Sequence, residues 1–246
     1  MITCYLQGGL GNLMFQIAAT YSLALDNNDN CCFDFSNGWY NHEHINTYLD
    51  NIFSKVKYGK FPIQNKYNEK NYSYDKILYQ DNLCLKGYFQ SEKYFKHNRK
   101  HILDLFKLNK KFDFLSDKNT VSLHIRRGDY LKLQDHHPVC DLDYYKKALL
   151  EFNDDEYTFV VISEDIEWCK ENFDGNFIYI EGQTDYEDLW LMSLCDNNII
   201  ANSTFSWWGA WLNQNPNKKV IAPKQWFGSA LSHNTNDLYP PEWITL

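Results

Sequence analysis

From Val121 to Ala222 the chain alternates short β-branched runs with amphipathic ones, and this alternation limits the possible folds more than any other feature. Strands are predicted over 121–125, 157–162, 177–180, 197–201 and 219–222, and helices over 143–152, 165–173, 185–195 and 204–213. Strands separated by helices imply βαβ crossovers, hence an α/β fold with a parallel sheet and helices on both faces. Ligands of such sheets gather on the loops that leave the strands' C-terminal ends.

The loop after the first of these strands is unusual. The chain carries 24 Lys and Arg, but its only arginines are Arg99, Arg126 and Arg127. Two of the three are neighbours at a strand end, ahead of a Gly128-Asp129 turn. A guanidinium fork binds phosphate oxygens in pairs, which a lysine point charge cannot do. The pair suits a diphosphate better than a solvated surface or an Arg-Gly-Asp adhesion loop. His124, two residues before Arg126, shares its side of the strand.

Two further strand ends carry polar clusters. Ser163-Glu164-Asp165 places carboxylates where they could receive a guanine edge or ribose hydroxyls, or where they could cap the following helix. Asn202-Ser203-Thr204-Phe205-Ser206 brings hydroxyls to a helix N-terminus, a ready anion site. Trp207, Trp208 and Trp211 behind it read as core. Metal signals are weak: Asp141-Leu-Asp143 precedes a helix it can cap, and His136-His137 has no partner at ligand spacing.

The N-terminal part is less regular. A strand over 2–6, a glycine-rich turn over 7–12 and a helix over 13–25 form an arrangement that presents backbone N–H groups to a polar ligand. A second strand is expected over 31–35, loops and short helices over 36–80, a strand over 83–88, and one amphipathic helix over 91–108 capped by Ser91. The polar stretch 109–119 is the expected boundary. The domains are then 1–115 and 116–246, with the last residues able to pack back on the first.

At 246 residues, with 44% hydrophobic and 23% charged residues, the composition is that of a globular protein. The net charge of −8 argues against nucleic acid as a partner. Residues 1–119 hold 15 basic and 12 acidic side chains, whereas 120–246 hold 9 and 20. An acidic half with one arginine pair would draw an anion to that spot. Seven scattered cysteines without a Cys-x-x-Cys suggest free thiols in a reducing compartment. No apolar run reaches membrane-spanning length and no signal peptide is recognisable, so a cytoplasmic location is expected, with the sequons at Asn71 and Asn202 accidental.

Taken together, five runs resemble the α-1,2-fucosyltransferase family, glycosyltransferase family 11. They are Gly8-Gly-Leu-Gly-Asn-Leu-Met-Phe-Gln16, His124-Ile-Arg-Arg-Gly-Asp-Tyr130, Cys140-Asp-Leu-Asp-Tyr-Tyr-Lys-Lys-Ala148, Ser163-Glu-Asp165 and Asn202-Ser-Thr-Phe-Ser-Trp-Trp208. The resemblance implies a GT-B-like enzyme with two Rossmann-like halves facing a cleft. It implies inverting transfer of L-fucose from GDP-β-L-fucose to a sugar hydroxyl, the 2-OH of a galactoside, with no metal or other cofactor and no nucleic acid. Another GDP-sugar or acceptor, or a binding module without turnover, are the alternatives. On this resemblance Arg126 and Arg127 hold the diphosphate, and His124 and Asp165 lie near the guanosine. Ser203, Thr204, Phe205 and Ser206 border the phosphate; Gly9, Gly11 and Asn12 lie near the fucose and acceptor. Asp129 is a candidate base by its closeness to the arginines, or a turn-forming residue. Leu13 stands where the family usually has Gln and Glu164 where Asp is common, and the chain is short, with trimming expected in 36–80.

Overall fold

The computed structural model describes residues 1–36, 38–40, 44–116, 119–152 and 156–246. They form two compact units, Met1–Asn109 with His233–Pro240, and Lys110–Ser232 with Pro241–Leu246. The division falls at the start of the polar stretch 109–119. The second unit is interrupted rather than continuous over 116–246: residues 233–240 belong to the first.

In the first unit, β1 (Ile2–Cys4) and β2 (Leu6–Gly8) lead into α1 (Leu10–Asp26). The helix starts three residues earlier than predicted because Leu10, Leu13, Met14 and Ile17 lie on one face and are all buried. Gly11 and Asn12 therefore stand in its first turn, not in a loop, and Gly9 is the N-cap. β3 (Gly38–Tyr40), α2 (Ile45–Asp50), β4 (Asn65–Asn68), β5 (Leu83–Lys86) and α3 (Arg99–Leu105) follow. β1, β5 and β4 make a parallel sheet in that spatial order, and β2 pairs with β3.

Two expectations are corrected here. The strand expected over 31–35 is reduced to isolated bridges at Cys31 and Phe33. The single helix over 91–108 is broken into two 3-10 turns and α3, because Phe95 leaves the helical region at φ −145°. Ser91 does cap the first turn, accepting from the Lys93 N–H at 3.3 Å.

The second unit contains β6 (Asn119–Ile125), α4 (Leu142–Leu149), β7 (Tyr157–Ser163), α5 (Ile166–Asn172), β8 (Phe177–Tyr179), α6 (Asp185–Leu194), β9 (Asn197–Ile199), α7 (Thr204–Leu212), β10 (Val220–Ala222) and β11 (Ile244–Thr245). Each predicted strand and helix is present, and β11 is added. The six strands are parallel and run β11-β10-β9-β6-β7-β8 across the sheet. This is the doubly wound order, and its direction reverses between β6 and β9.

β6 is buried on both sides, as the centre of such a sheet must be. Val121, Leu123 and Ile125 join Tyr144, Tyr145, Phe159, Cys169 and Phe173 in a core with α4 and α5. The opposite side carries Thr120, Ser122 and His124. Polar pairs tie it to β9: Asn198 Nδ2 donates to Ser122 Oγ at 2.7 Å, and the Thr120 N–H to Asp196 Oδ2 at 2.8 Å. Such a satisfied buried network specifies one register, since slipping it leaves polar groups unpaired. Trp207, Trp208 and Trp211 are fully buried and stacked or edge-on to one another, as core residues.

Candidate functional site

The reversal between β6 and β9 opens at the strands' C-terminal ends, and the polar clusters emerge there. β6 runs out into Arg126 and Arg127, β7 into Glu164 and Asp165, and β9 into Asn202 and the start of α7. Contacts join the three ends. Arg127 Nε donates to Asp165 Oδ2 at 2.8 Å, the His124 ring lies 5.3 Å from the Phe205 ring, and Tyr130 donates its hydroxyl to the Asn202 carbonyl at 3.3 Å.

The two guanidinium groups are held differently. Arg127 is 17% exposed, fixed by Asp165 at Nε and laid on the Trp168 ring, 3.9 Å from its centroid. Its two terminal nitrogens make no hydrogen bond among the described residues, so the fork is rigid and open. Arg126, 33% exposed, gives Nη2 to Asp129 Oδ1 at 2.6 Å, keeps Nη1 3.6 Å from Glu164 Oε1, and lies over the Tyr130 ring. Its Nε is buried without a hydrogen-bond partner among the described residues.

Glu164 also accepts from the Arg127 N–H at 2.7 Å. That close approach explains Gly128: at φ +23°, a Cβ there would sit 2.8 Å from Glu164 Oε1. Asp165 is the N-cap residue of α5, yet its side chain makes no cap bond. Ser163 Oγ accepts from the Asp165 N–H at 3.0 Å instead, leaving the carboxylate to Arg127. By contrast Asp141 caps α4, accepting from the Tyr144 N–H at 2.8 Å.

His124 is 3% exposed, and its Nδ1 is buried without a hydrogen-bond partner among the described residues. Burial, with Arg126 adding to it, pushes its pKa down to about 3, so the ring is neutral at physiological pH. At the start of α7, Ser203 Oγ caps by accepting from the Phe205 N–H at 3.3 Å. Ser206 is buried and donates back to the Ala201 and Ser203 carbonyls. Thr204 and Phe205 are half-buried. Of the three hydroxyls, Thr204 is the one not used inside the turn. Asn202, 1% exposed, donates to the Pro138 and Trp226 carbonyls and so fixes the loops around the site.

In the first unit, Gly8 takes φ +88°, and Gln16 clamps the Gln7 backbone by accepting from its N–H at 2.9 Å and donating to its carbonyl at 2.8 Å. Gly9 is exposed, Gly11 buried, and Asn12 half-buried at the end of this turn. Leu13 is packed in the core.

Sequence reasoning missed Trp168 and Tyr130 as supports of the arginines. Trp168 could have been found, since it lies one turn after Asp165 on the same side of α5. Among the described residues no group of three His, Cys, Asp or Glu is placed to hold a metal, and no helix is long and apolar enough to cross a membrane.

A sequence profile described as Glycosyl transferase family 11 matches residues 1–246. The O-antigen biosynthesis glycosyltransferase WbnK of Escherichia coli is 32% identical, over 100% of both chains. An alpha-1,2-colitosyltransferase of Escherichia coli is also 32% identical, over 100% of this chain and 99% of its own. The human galactoside alpha-(1,2)-fucosyltransferase 1 is 36% identical over 37% of this chain and 28% of its own. Among solved structures, NodZ alpha-1,6-fucosyltransferase soaked with GDP-fucose superposes with a TM-score of 0.56 at 13% identity, covering 94% of this chain and 97% of that one. Fucosyltransferase NodZ from Bradyrhizobium gives 0.54 at 12% identity, covering 85% and 92%. The likeness to NodZ is one of fold.

Proposed function

The chain belongs to glycosyltransferase family 11, and from that membership we propose that it moves L-fucose from GDP-β-L-fucose to the 2-OH of a galactoside. The observation that carries this reading is the open fork of Arg127 beside Arg126, at the point where the sheet order reverses. Two guanidinium groups there match the two phosphates of a nucleoside diphosphate. Asp165, Thr204 and the N-terminus of α7 border the same place, with the Phe205 ring against neutral His124.

In this reading the reaction is a single displacement at the anomeric carbon of the sugar. The bond to the GDP oxygen breaks as the acceptor hydroxyl attacks from the opposite side, inverting the centre. Negative charge grows on the leaving diphosphate, and Arg127, already set by Asp165 and Trp168, meets it without reorganising. Asp129 is the candidate to take the acceptor proton. It is bound to Arg126, so a diphosphate that claims Arg126 Nη2 would release the carboxylate for that task.

A second donor, an activated colitose, is favoured by the full-length similarity to the alpha-1,2-colitosyltransferase. The deciding experiment follows release of GDP from GDP-fucose with a panel of galactosides, with GDP-colitose as the competing donor. Transfer from GDP-fucose to the 2-OH upholds the reading. Turnover with the other donor alone replaces fucose, and GDP binding without turnover leaves a binding module.

A further inference from the structure

His136-His137 lacks metal-ligand spacing, and the structure gives His137 another use. Its ring lies nearly parallel to the Tyr130 ring, 5.1 Å between centroids and 22° between planes, and tilts against Phe227 at 5.9 Å. Its Nδ1 is buried and makes no hydrogen bond among the described residues, so the ring works there as a flat slab. Burial lowers its pKa, with His136 and Arg126 adding to the effect against Asp129, so the ring is uncharged at neutral pH.

The Tyr130 ring in turn carries Arg126, whose Cζ is 5.0 Å from the ring centroid. Contact through the flat face of a guanidinium spares the N–H groups at its edge. It would therefore persist if a phosphate displaced Asp129 from Nη2. Unlike Arg127, Arg126 has no hydrogen bond at Nε among the described residues, which leaves the ring, with Glu164 3.6 Å from Nη1, to hold the group. Tyr130 is fixed at its far end, where its hydroxyl donates to the Asn202 carbonyl. The loop bearing His137 is fixed as well. The Leu133 carbonyl accepts from the His136 and His137 N–H groups at 2.8 and 2.7 Å, and the Gly228 N–H donates to the His136 carbonyl at 2.9 Å. A Cβ at Gly228 would come within 2.3 Å of the Asp135 carbonyl oxygen, so glycine is what lets the two stretches lie this close. All of these residues belong to the second unit.

We propose that Tyr130 and His137 are positioning residues for Arg126: His137 backs the Tyr130 ring, and that ring presents the guanidinium to a phosphate of a nucleoside diphosphate. This rests on the reading of the arginine pair as a diphosphate site. Arg127 has its own support in Trp168, so the two arginines lie on separate rings. The Tyr130–His137 stack should then act through Arg126 and leave Arg127 untouched.

The test is GDP affinity by calorimetric titration, in the wild type and in Arg126→Ala and Arg127→Ala backgrounds. Tyr130→Leu removes the ring and should weaken GDP binding about tenfold in the wild type and in Arg127→Ala, but by less than about twofold in Arg126→Ala. His137→Ala should weaken it about threefold, and His137→Phe, which restores a flat ring, should recover most of that loss. A Tyr130→Leu loss as large in Arg126→Ala as in the wild type overturns the proposal. So does a His137→Phe variant that binds GDP no better than His137→Ala. Where Tyr130→Leu fails to fold, His137→Ala and His137→Phe, taken through the same backgrounds, decide by the same rule. If Arg126→Ala and Arg127→Ala both keep wild-type GDP affinity, the diphosphate site itself falls, and the proposal with it. If both lose affinity and the Tyr130 and His137 losses simply add to theirs, only the role of the stack falls.

Discussion

Arg127 is the residue on which the proposed donor site turns, because its guanidinium is fixed by Asp165 and Trp168 before any ligand arrives. Arg127→Ala removes preset donors and should lower kcat by roughly a hundredfold or more, about 3 kcal/mol of lost transition-state stabilisation. Arg127→Lys should do little better, since lysine supplies neither the fork nor the stack. Steady-state kinetics decide it, and a lysine variant near wild-type rates would count against a diphosphate in the fork. Asp129 tests the exchange of partners on Arg126. If its carboxylate occupies the phosphate's place, Asp129→Asn should tighten GDP several-fold while slowing transfer. Weaker GDP binding in calorimetric titration would make it an anchor for Arg126 instead. Far from these, Asp188 in the first turn of α6 has its pKa raised to about 7 by burial, with Asp185 and Glu187 adding repulsion. The folded state then binds the proton more tightly than the unfolded one, so this group stabilises at low pH and the contribution is lost as pH rises through about 7. Asp188→Asn should raise stability by about 1–2 kcal/mol at pH 8, discounted for solvent screening, with the gain vanishing near pH 4. Equal gains at both pH values in thermal melts would reject the ionisation argument.

At the scale of elements, the loop from β6 is shaped by the carboxylate that crosses from the end of β7. Gly128→Ala would press a methyl on Glu164 and displace it from the Arg127 N–H. The expected outcome is GDP binding weakened about tenfold with a modest loss of stability; titration and melting curves check both. The parallel sheet was legible in the sequence because five of its six strands are short β-branched or aromatic runs between helical periods. The arginine pair was legible because arginine is so rare in this chain. What holds the arginines was not: Glu164, Asp165 and Trp168 reach them only once β6 and β7 lie side by side, which no local pattern encodes. β11 has two residues, too few for a period. The break at Phe95 escaped notice because the apolar spacing of 91–108 continues through it.

At the scale of the whole molecule, charge is unevenly divided, and in the proposed function the acidic second half repels anions except where the arginines gather them. GDP should therefore stabilise the protein against heat, increasingly with the logarithm of its concentration, UDP far less, and the effect should weaken with salt. In hydrogen exchange, protection should centre on β6, β9 and α7. Equal stabilisation by UDP would remove the guanine-selective part of the proposal.

The interruption of the second unit by residues 233–240 also governs how the protein is made. Asp237 accepts from the Tyr74 N–H and pairs with Lys93, and His233 stacks on Tyr72 at 4.0 Å. The earlier part of this unit thus waits, while more than a hundred further residues are translated, for the stretch that completes it. A nascent chain halted at Ser232 would carry a first unit missing its clasp, open to proteases that spare the finished molecule.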